Sequence, residues 1–349
     1  MPRRAIENWK RKLILLILIL LFAIIISLNI GYAKIPATRI LRVIVEEITP
    51  FPTSGHSGAS EMEESIIIDL RLPRILGGAL IGLGLSTAGV VFQGVFRNPM
   101  ADPYVIGVSS GAALGAALAI VLNVGFTVFG VSTLSVMAFL FSLTAVFIVF
   151  NLARTGPKIP VTTLLLSGLA VSIMFSAFVS LLQLMSGWEL HRLVYWMMGG
   201  LSGIQWRDLK SAAPLILGGV VGVYLYSRDL NIMTLSEEEA QHLGVNVERS
   251  KRILLALGSL ITAASVSISG LIGFVGLIIP HLTRIMVGPD HRVLTPASIT
   301  TGATFLVACD SLARSILPPL ELPVGLVTSL TGAPFFLYLL RKRGKGYRM

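Results

Sequence analysis

Ten apolar segments of about the length of a membrane-spanning helix follow one another along this chain, and this repetition restricts the possible folds more than any other feature. A helix that crosses a bilayer needs about 20 mostly apolar residues. The composition agrees, because 54% of the 349 residues are hydrophobic and only 13% are charged, whereas a soluble domain usually has about a quarter charged residues. The sequence therefore predicts an all-α polytopic membrane protein with about ten transmembrane helices in a compact bundle, and it excludes a cytosolic enzyme, a disordered tail and a secreted disulfide scaffold. The segments span residues 13–30, 70–95, 103–123, 128–151, 161–185, 208–227, 251–269, 272–288, 293–312 and 322–340.

The first apolar segment admits two interpretations. It follows a basic stretch and ends near Gly31 and Ala33, as a cleaved signal peptide would. However, the run of 18 residues at 13–30 exceeds the 7–15 apolar residues of a signal-peptide core. We therefore predict an uncleaved first span.

The net charge of +10 is concentrated at the two ends of the chain. In a soluble protein such an excess would suggest a nucleic-acid partner, but here ten cations flank the first and last apolar segments. Lys and Arg mark the cytoplasmic side of membrane proteins. The sequence therefore predicts a multi-pass protein of the cell membrane with both termini in the cytoplasm, an even number of spans and no nucleic-acid partner. The ten cations are Arg3, Arg4, Lys10, Arg11, Lys12, Arg341, Lys342, Arg343, Lys345 and Arg348.

This topology predicts a single transmembrane domain over residues 1–349. Its ends are basic cytoplasmic tails at 1–12 and 341–349, and a polar loop at 34–69 lies outside. The segment at 228–250, between the sixth and seventh predicted spans, lies in the cytoplasm.

The predicted spans are rich in small residues and are broken by prolines. Glycines four residues apart, as at Gly78 and Gly82 or Gly111 and Gly115, let helix backbones approach closely in lipid. Prolines such as Pro99, Pro103 and Pro280 interrupt or cap helices, and irregular backbone at membrane depth is tolerated only against protein or a water-lined cavity. These breaks favour a transport pathway over a simple anchor.

The sequence offers little support for chemistry in this chain. It contains no phosphate-binding loop of the type G-x-x-x-x-G-K-[ST]. The five histidines show no metal-ligand spacing, and Cys309 is the single cysteine. We therefore expect a chain that is not an enzyme and that binds neither a metal nor a cofactor.

The cytoplasmic segment contains a short helix with strong start and stop signals. Ser236 is a good N-cap, Glu239 stands at the reciprocal capping-box position, and Gly244 is suited to end the helix in the left-handed conformation. Asn246 then begins a second helix. Two interpretations remain open: a rigid knob that docks a soluble partner, or an ordinary capped loop.

Three arginines lie at the predicted outer ends of spans, against the usual charge bias. They are Arg71 and Arg74 on either side of Pro73, and Arg314. One interpretation is snorkelling to headgroups or pairing with Asp69 and Asp310. The other is a cationic outer rim that receives an acidic partner or an anionic substrate.

Six strings taken together resemble the permease subunits of prokaryotic ABC importers for iron–siderophore complexes, haem and vitamin B12. The resemblance runs from about residue 65 to residue 340 in the order of that family. The strings are LRLPR (70–74), QGVFRNPMADP (93–103), GVSSGA (107–112), YWMMGG (195–200), GFVGLIIPH (273–281) and ELPVG (321–325).

The resemblance implies ten spans per subunit, a homodimer around a central pathway, two separate ATPase subunits that bind ATP and Mg, and a substrate-binding protein docked outside. It also implies roles for particular residues. The fifth span corresponds to the pathway helix, and relatives carry a small hydroxyl residue where Val161 stands. Coupling to the ATPase falls on Ser236, Glu237, Glu238, Glu239, Ala240, Leu243 and Gly244, binding-protein docking on Arg71, Arg74 and Arg314, and the gate on Val161, Thr162, Thr163 and Ser167.

The expected function is therefore the transmembrane part of an ATP-driven importer of a metal chelate that works by alternating access. An importer of an oxyanion such as molybdate on the same scaffold is the main alternative. An ion-coupled secondary transporter would be expected to carry mid-span carboxylates, whereas Asp310 lies near an outer end with Arg314 four residues on. A structural subunit of a larger membrane complex is a third possibility.

Overall fold

The computed structural model describes residues 3–344 except 32, 49–59, 129, 157 and 236. Within that part of the chain the fold is all-α apart from one small hairpin, in which strands β1 (Thr127–Val128) and β2 (Val131–Ser132) pair in antiparallel fashion. The α-helices are α1 Arg3–Asn29, α2 Ala37–Ile48, α3 Glu61–Ser65, α4 Leu72–Val95, α5 Val108–Val121, α6 Thr133–Ala153, α7 Val161–Met185, α8 Leu190–Met197, α9 Trp206–Leu225, α10 Ser227–Met233, α11 Glu237–His242, α12 Val247–Ser269, α13 Val275–Val287, α14 His291–Ser315 and α15 Val324–Gly344.

Seven of the described helices are long and apolar enough to cross a membrane. They include α1, α6, α7, α9, α12 and α14, and the continuous helix Glu61–Val95 that contains α4. Three shorter apolar helices are α5, α13 and the part of α15 at Val324–Tyr338. These helices lie where the sequence predicts its ten spans. An all-α polytopic membrane protein is therefore confirmed.

Helix α4 lies at the centre of the bundle and packs against α12, α13 and α14. Its glycines make this packing possible, because a Cβ on Gly82 would overlap the Gly302 carbonyl of α14, and one on Gly89 would overlap the Gly276 carbonyl of α13. Backbone-to-backbone contact of this kind is the packing that small residues provide in lipid. The close approach predicted from the glycine spacing is thus present in the core.

The prediction of a polar loop at 34–69 is wrong for most of its described residues. Helix α2 is amphipathic and buries Ile40 and Val43 in an apolar cluster that also contains Ile67 and Ile75. Ser60 and Glu63 form a capping box that starts α3, and a π-helical turn at Ile66–Arg71 carries this helix into α4. The charged and proline residues concealed both signals, since an amphipathic helix has a polar face and a capping box is itself polar. The helix that contains the second predicted span therefore begins at residue 61, about nine residues before the predicted start at 70. Residues 49–59 of the predicted loop lie outside the described residues.

A break between α12 and α13 shows how irregular backbone is satisfied inside the bundle. Gly270 and Phe274 both have positive φ, at 68° and 69°. The Tyr104 hydroxyl accepts a hydrogen bond from the Ile272 N–H at 3.2 Å and donates one to the Ile272 carbonyl at 2.9 Å. One side chain therefore satisfies both backbone groups of a residue in the break, as low-dielectric surroundings require.

Candidate functional site

The segment between α9 and α12 forms a compact, capped structure on the predicted cytoplasmic side. Gly244 has φ +81°, and two hydrogen bonds close the end of α11: Val245 N–H to Ala240 O at 3.1 Å and Gly244 N–H to Gln241 O at 2.9 Å. This pair of bonds is a Schellman motif. The sequence prediction that Gly244 ends this helix in the left-handed conformation is confirmed. The predicted N-cap, Ser236, lies outside the described residues.

The two faces of this segment differ in exposure. Ala240 is fully buried, whereas the Leu243 side chain is 56% exposed, and Gly244 is also exposed. Asn246 caps α12 as predicted, because its Oδ1 accepts a hydrogen bond from the Arg249 N–H at 3.0 Å. A rigid turn therefore presents an apolar tip away from the bundle, and this surface is suited to contact another protein.

A polar cluster that sequence reasoning missed anchors α10 to the bundle. Asn231 donates through Nδ2 to Asp290 Oδ1 at 2.7 Å, and its Oδ1 accepts from the His291 N–H at 2.8 Å. Arg97, just beyond α4, donates through Nε to Met233 O at 2.7 Å. These contacts join residues far apart in the chain. The one local signal was Asp290 as an N-cap at the start of α14. The anchors tie the base of the segment to α4 and α14.

Two of the three predicted outer arginines, Arg74 and Arg314, pair with Asp310. Arg74 Nη2 lies 2.9 Å from Asp310 Oδ1, and Arg314 Nε lies 3.1 Å from Asp310 Oδ2. The Asp310 and Arg314 side chains are only 2% and 4% exposed. Arg74 Nη1 also pairs with Glu321 at 2.7 Å, and the Glu321 side chain is 41% exposed. The predicted pairing with Asp310 is therefore confirmed, but Asp69 instead accepts a hydrogen bond from Ser65.

Arg71 and Arg314 do not form an exposed cationic rim in this chain. Arg71 donates to the carbonyls of Leu28, at 2.7 Å, and Ala33, and Arg314 donates to the Ile30 carbonyl at 2.7 Å. Both residues are buried. The last carbonyls of a helix have no partner within it, and cations are favourable there. These two guanidinium groups therefore satisfy the end of α1 and the turn after it, contacts that separation in sequence concealed.

Helix α7 contains the predicted gate residues near its beginning. Thr162 is exposed, whereas Val161, Thr163 and Ser167 are half-buried. One stripe of α7 packs on the bundle, namely Leu164, Gly168, Val171, Phe175 and Val179. Large apolar residues on its other faces are exposed, namely Leu166, Leu169, Ile173, Met174, Phe178 and Leu181. Most of the α7 surface is therefore free for lipid, for a second copy or for a pathway.

A metal site was not expected. Among residues 3–344 with the gaps given above, no group of three or more His, Cys, Asp or Glu side chains is placed to hold a metal ion.

Comparison with known proteins shows the class to which this chain belongs. The model of the FecCD transport family matches residues 19–342, a wider range than the 65–340 of the sequence resemblance. The cobalamin import system permease of Halobacterium salinarum is 49% identical over 286 residues, which cover 82% of this chain and 76% of that protein. The hemin transport system permease of Yersinia pestis is 40% identical over 295 residues, covering 84% of this chain and 88% of that protein.

Two further similarities extend over nearly the whole chain. The molybdate import system permease of Haemophilus influenzae is 36% identical over 343 residues, covering 97% of this chain and 98% of that protein. A solved metal-chelate type ABC transporter in an inward-facing conformation has a TM-score of 0.82 at 35% identity, covering 95% of this chain and 99% of that chain. This chain belongs to the FecCD transport family and is a permease subunit of an ABC importer. It is a multi-pass membrane protein, and its family works with ATPase and substrate-binding partners.

Proposed function

We propose that this chain carries a metal chelate, either a ferric siderophore, haem or cobalamin, from a binding protein into the cytoplasm by alternating access. The observation that carries the proposal is the family match over 19–342. The capped α11 and its exposed Leu243 add a surface suited to an ATPase. Cobalamin is the first substrate to test because the permease at 49% identity is named for it.

The proposed assembly contains two copies of this chain, two ATPase subunits and one binding protein in the plasma or inner membrane. Each copy crosses the bilayer ten times with both termini in the cytoplasm. ATP and Mg bind to the ATPase subunits. Support for the second copy comes from α7, whose exposed apolar faces would otherwise contact lipid alone.

In this mechanism, ATP binding closes the ATPase pair and displaces α11. Asn231 and Arg97 tie the base of the segment to α14 and α4, so a push at α11 moves these helices as packed bodies. The predicted gate at Val161, Thr162, Thr163 and Ser167 then opens or closes at the beginning of α7. By thermodynamic linkage, docking of the loaded binding protein and closure of the ATPase pair must favour each other reciprocally if both select the same state.

Docking of the binding protein is proposed at the outer arginines Arg71, Arg74 and Arg314. Because Arg71 and Arg314 are buried, Arg74 is the residue that the binding protein would contact. Arg74 is paired with Glu321, a residue at the surface. An acidic side chain from a partner would exchange with Glu321 at Arg74, while Arg71 and Arg314 support the site from below.

A second substrate class has a specific observation in its favour. The molybdate permease matches almost its full length and almost the full length of this chain. An oxyanion importer on the same scaffold is therefore the alternative within this function.

The test is ATP-dependent uptake into proteoliposomes that contain this chain with its ATPase and binding protein. We expect uptake of cyanocobalamin, a ferric siderophore or haem, with no uptake of molybdate. Molybdate uptake without chelate uptake would establish the alternative. Uptake of neither class, with an active ATPase and a binding protein shown to bind its ligand, would contradict the proposal.

Replacing Gly244 with Val should uncouple hydrolysis from transport. Gly244 has φ +81°, and a side chain in the left-handed region costs roughly 1–2 kcal/mol, more for a β-branched residue. We expect a several-fold fall in substrate moved per ATP hydrolysed. Gly125→Val, at a loop glycine with open space around it, is the control. Unchanged coupling in Gly244→Val would refute the role of α11.

A further inference from the structure

The loop that enters α7 is held by a glutamate from a distant part of the chain. Glu248, in the first turn of α12, accepts a hydrogen bond through Oε2 from the Ile159 N–H at 3.1 Å. The Ile159 side chain is buried, and Val161 begins α7 two residues later. The Glu248 carboxylate therefore holds the backbone two residues before α7, the helix that contains the predicted gate residues.

Backbone hydrogen bonds also join two described residues of this loop to each other. Thr155 and Lys158 pair in both directions, with Thr155 N–H to Lys158 O at 3.0 Å and Lys158 N–H to Thr155 O at 3.3 Å. The N-cap of α7 is Pro160, which supplies no side-chain hydrogen bond. The Glu248 carboxylate thus stands near a helix N-terminus that lacks a capping side chain, where negative charge is favourable.

Glu248 is fixed on its own side as well. Its Oε1 lies 2.9 Å from Lys251 Nζ, and the Lys251 side chain is only 4% exposed. Each carboxylate oxygen therefore has a partner: one holds the buried lysine of α12 and the other holds the loop before α7. A charged acceptor makes a stronger hydrogen bond than a neutral one.

Glu248 is also close in sequence to the end of α11. The Schellman motif ends at Val245, Asn246 caps α12, and the buried Val247 precedes Glu248. An open groove lined by Lys158, Asn246, Glu248, Arg249, Arg252 and Ile253 lies beside the contact. The Glu248–Ile159 bond therefore lies at the edge of a groove, where displacement of α12 would move the loop.

We propose that Glu248 is a positioning residue that transmits the displacement of α11 to the start of α7. This inference depends on the proposed function, since it names the connection between the ATPase-facing surface and the gate. The connection runs from α11 through its capped end to Glu248, then across to Ile159 and the first turn of α7.

The test compares two conservative variants of Glu248, one that changes the charge of the side chain and one that changes its length. Glu248→Gln keeps the length of the side chain and an acceptor for the Ile159 N–H, whereas Glu248→Asp keeps the charge and shortens the reach. Glu248→Ala removes both. The matched control is Glu189→Ala, because Glu189 also pairs with a cation three residues on, Arg192, but lies on the opposite side of the predicted membrane.

The measurement is substrate transported per ATP hydrolysed by the complete complex in proteoliposomes. We expect a roughly tenfold fall for Glu248→Asp and Glu248→Ala, the loss that removal of a hydrogen bond to a charged group would produce. Glu189→Ala breaks an exposed pair and should stay within about twofold of wild type. Glu248→Gln keeps an acceptor for the Ile159 N–H and should therefore lose clearly less than Glu248→Asp and Glu248→Ala. Basal ATP hydrolysis should change little. Tm should fall in Glu248→Gln and Glu248→Ala, because both remove the carboxylate that pairs with the buried Lys251, so transport per ATP is compared below the Tm of every variant.

A second readout does not need a transported substrate. Thr162→Cys places a thiol on the exposed side of the α7 start, while the native Cys309 is buried. Nucleotide should change the labelling rate of this thiol in the complex with wild-type Glu248 or with Glu248→Gln, and not with Glu248→Asp.

The outcomes separate the two proposals. Uptake by the wild-type complex tests the proposed function, whereas the ratio between Gln and Asp variants tests Glu248. Nucleotide-dependent labelling that persists in Glu248→Asp would overturn the inference. Equal losses in Glu248→Gln and Glu248→Ala would also overturn it, because they would assign the effect to charge rather than reach.

Discussion

Helices α4 and α7 have nearly the same length and are both strongly apolar, yet they occupy opposite environments. In the most apolar 18-residue stretch of the helix containing α4, 83% of the residues are buried, compared with 28% in that of α7. The difference lies in the small residues. Gly82 and Gly89 bring α4 against the backbones of α14 and α13, whereas α7 makes one such contact, at Gly168 against the Val105 carbonyl.

Apolarity and burial are therefore separate properties in a membrane protein. Lipid tails are as apolar as a leucine side chain, so no hydrophobic force draws α7 into the bundle. Close packing of small residues distinguishes a helix that is held by protein on all sides. We infer that α4 is the fixed centre of each subunit and that α7 is free on most faces to meet a second copy or a substrate.

The largest effect should come from a methyl group added to the centre of α4. In Gly89→Ala the new Cβ would overlap the Gly276 carbonyl oxygen, and the backbones of two buried helices cannot separate without loss of packing. We expect at least ~3 kcal/mol of destabilisation, because overpacking at a backbone contact exceeds the usual range for side chains. The measurement is the yield of monodisperse protein in detergent and its Tm.

The control for this change is Gly218→Ala in α9, where nothing lies within 4 Å of the added Cβ. It should be neutral or stabilising by up to ~1 kcal/mol, because alanine favours the helix. Equal Tm values for the two variants would contradict the picture of α4 as a fixed centre.

The next largest loss of stability is expected at the predicted outer end of the helix bundle. Asp310→Asn removes the charge that pairs with Arg74 and Arg314 and leaves buried guanidinium charge uncompensated. The expected loss is about 3–5 kcal/mol, read from thermal or denaturant unfolding in detergent. In contrast, Glu63→Gln breaks an exposed pair with Arg39 and should cost less than ~1 kcal/mol.

A small effect of Asp310→Asn, similar to that of Glu63→Gln, would show that the arginines do not depend on this carboxylate. Charge reversal at Arg71 or Arg314 is a poor test of docking for the same reason, since both groups satisfy carbonyls near the end of α1 and their loss would disturb the fold.

The smallest difference in unfolding free energy is expected within α7, between alanine variants of two leucines that lie two residues apart. Leu164 is fully buried and Leu166 is 63% exposed. Leu164→Ala should therefore cost about 2–5 kcal/mol, whereas Leu166→Ala should change the stability of the detergent-solubilised monomer by less than ~0.5 kcal/mol. A large loss for Leu166→Ala in the monomer would mean that this face is packed within the chain.

Local signals were predicted well because the residues that produce them are neighbours in sequence. Gly244 and Asn246 define the end of one helix and the start of the next through bonds within a few residues. The same reasoning offered Asp310, one helical turn from Arg314, as a partner in one of its two interpretations, and the structure contains this pair. It failed at α2 and α3, where a polar face and a polar cap were interpreted as a loop.

The distant contacts were beyond sequence reasoning. Glu248 meets Ile159 across 89 positions, Asn231 meets His291 across 60, and Arg314 meets Ile30 across 284. No periodicity or spacing in one sequence indicates such pairs, because they depend on how the helices are arranged in space. The docking role that the resemblance implies would place all three outer arginines at the surface, whereas Arg71 and Arg314 are buried.

The membrane environment, the positions of the apolar helices, the capped turn after α11 and the resemblance to a family of permeases could all be predicted from the amino-acid sequence. These follow from composition, from periodicity and from bonds between near neighbours, which the chain carries wherever it folds. The arrangement of the helices in space was needed to find which apolar helices are buried and which carboxylate holds the start of α7. In a bilayer an apolar side chain finds apolar surroundings against lipid tails as well as against protein, so its location depends on the packing of the other helices.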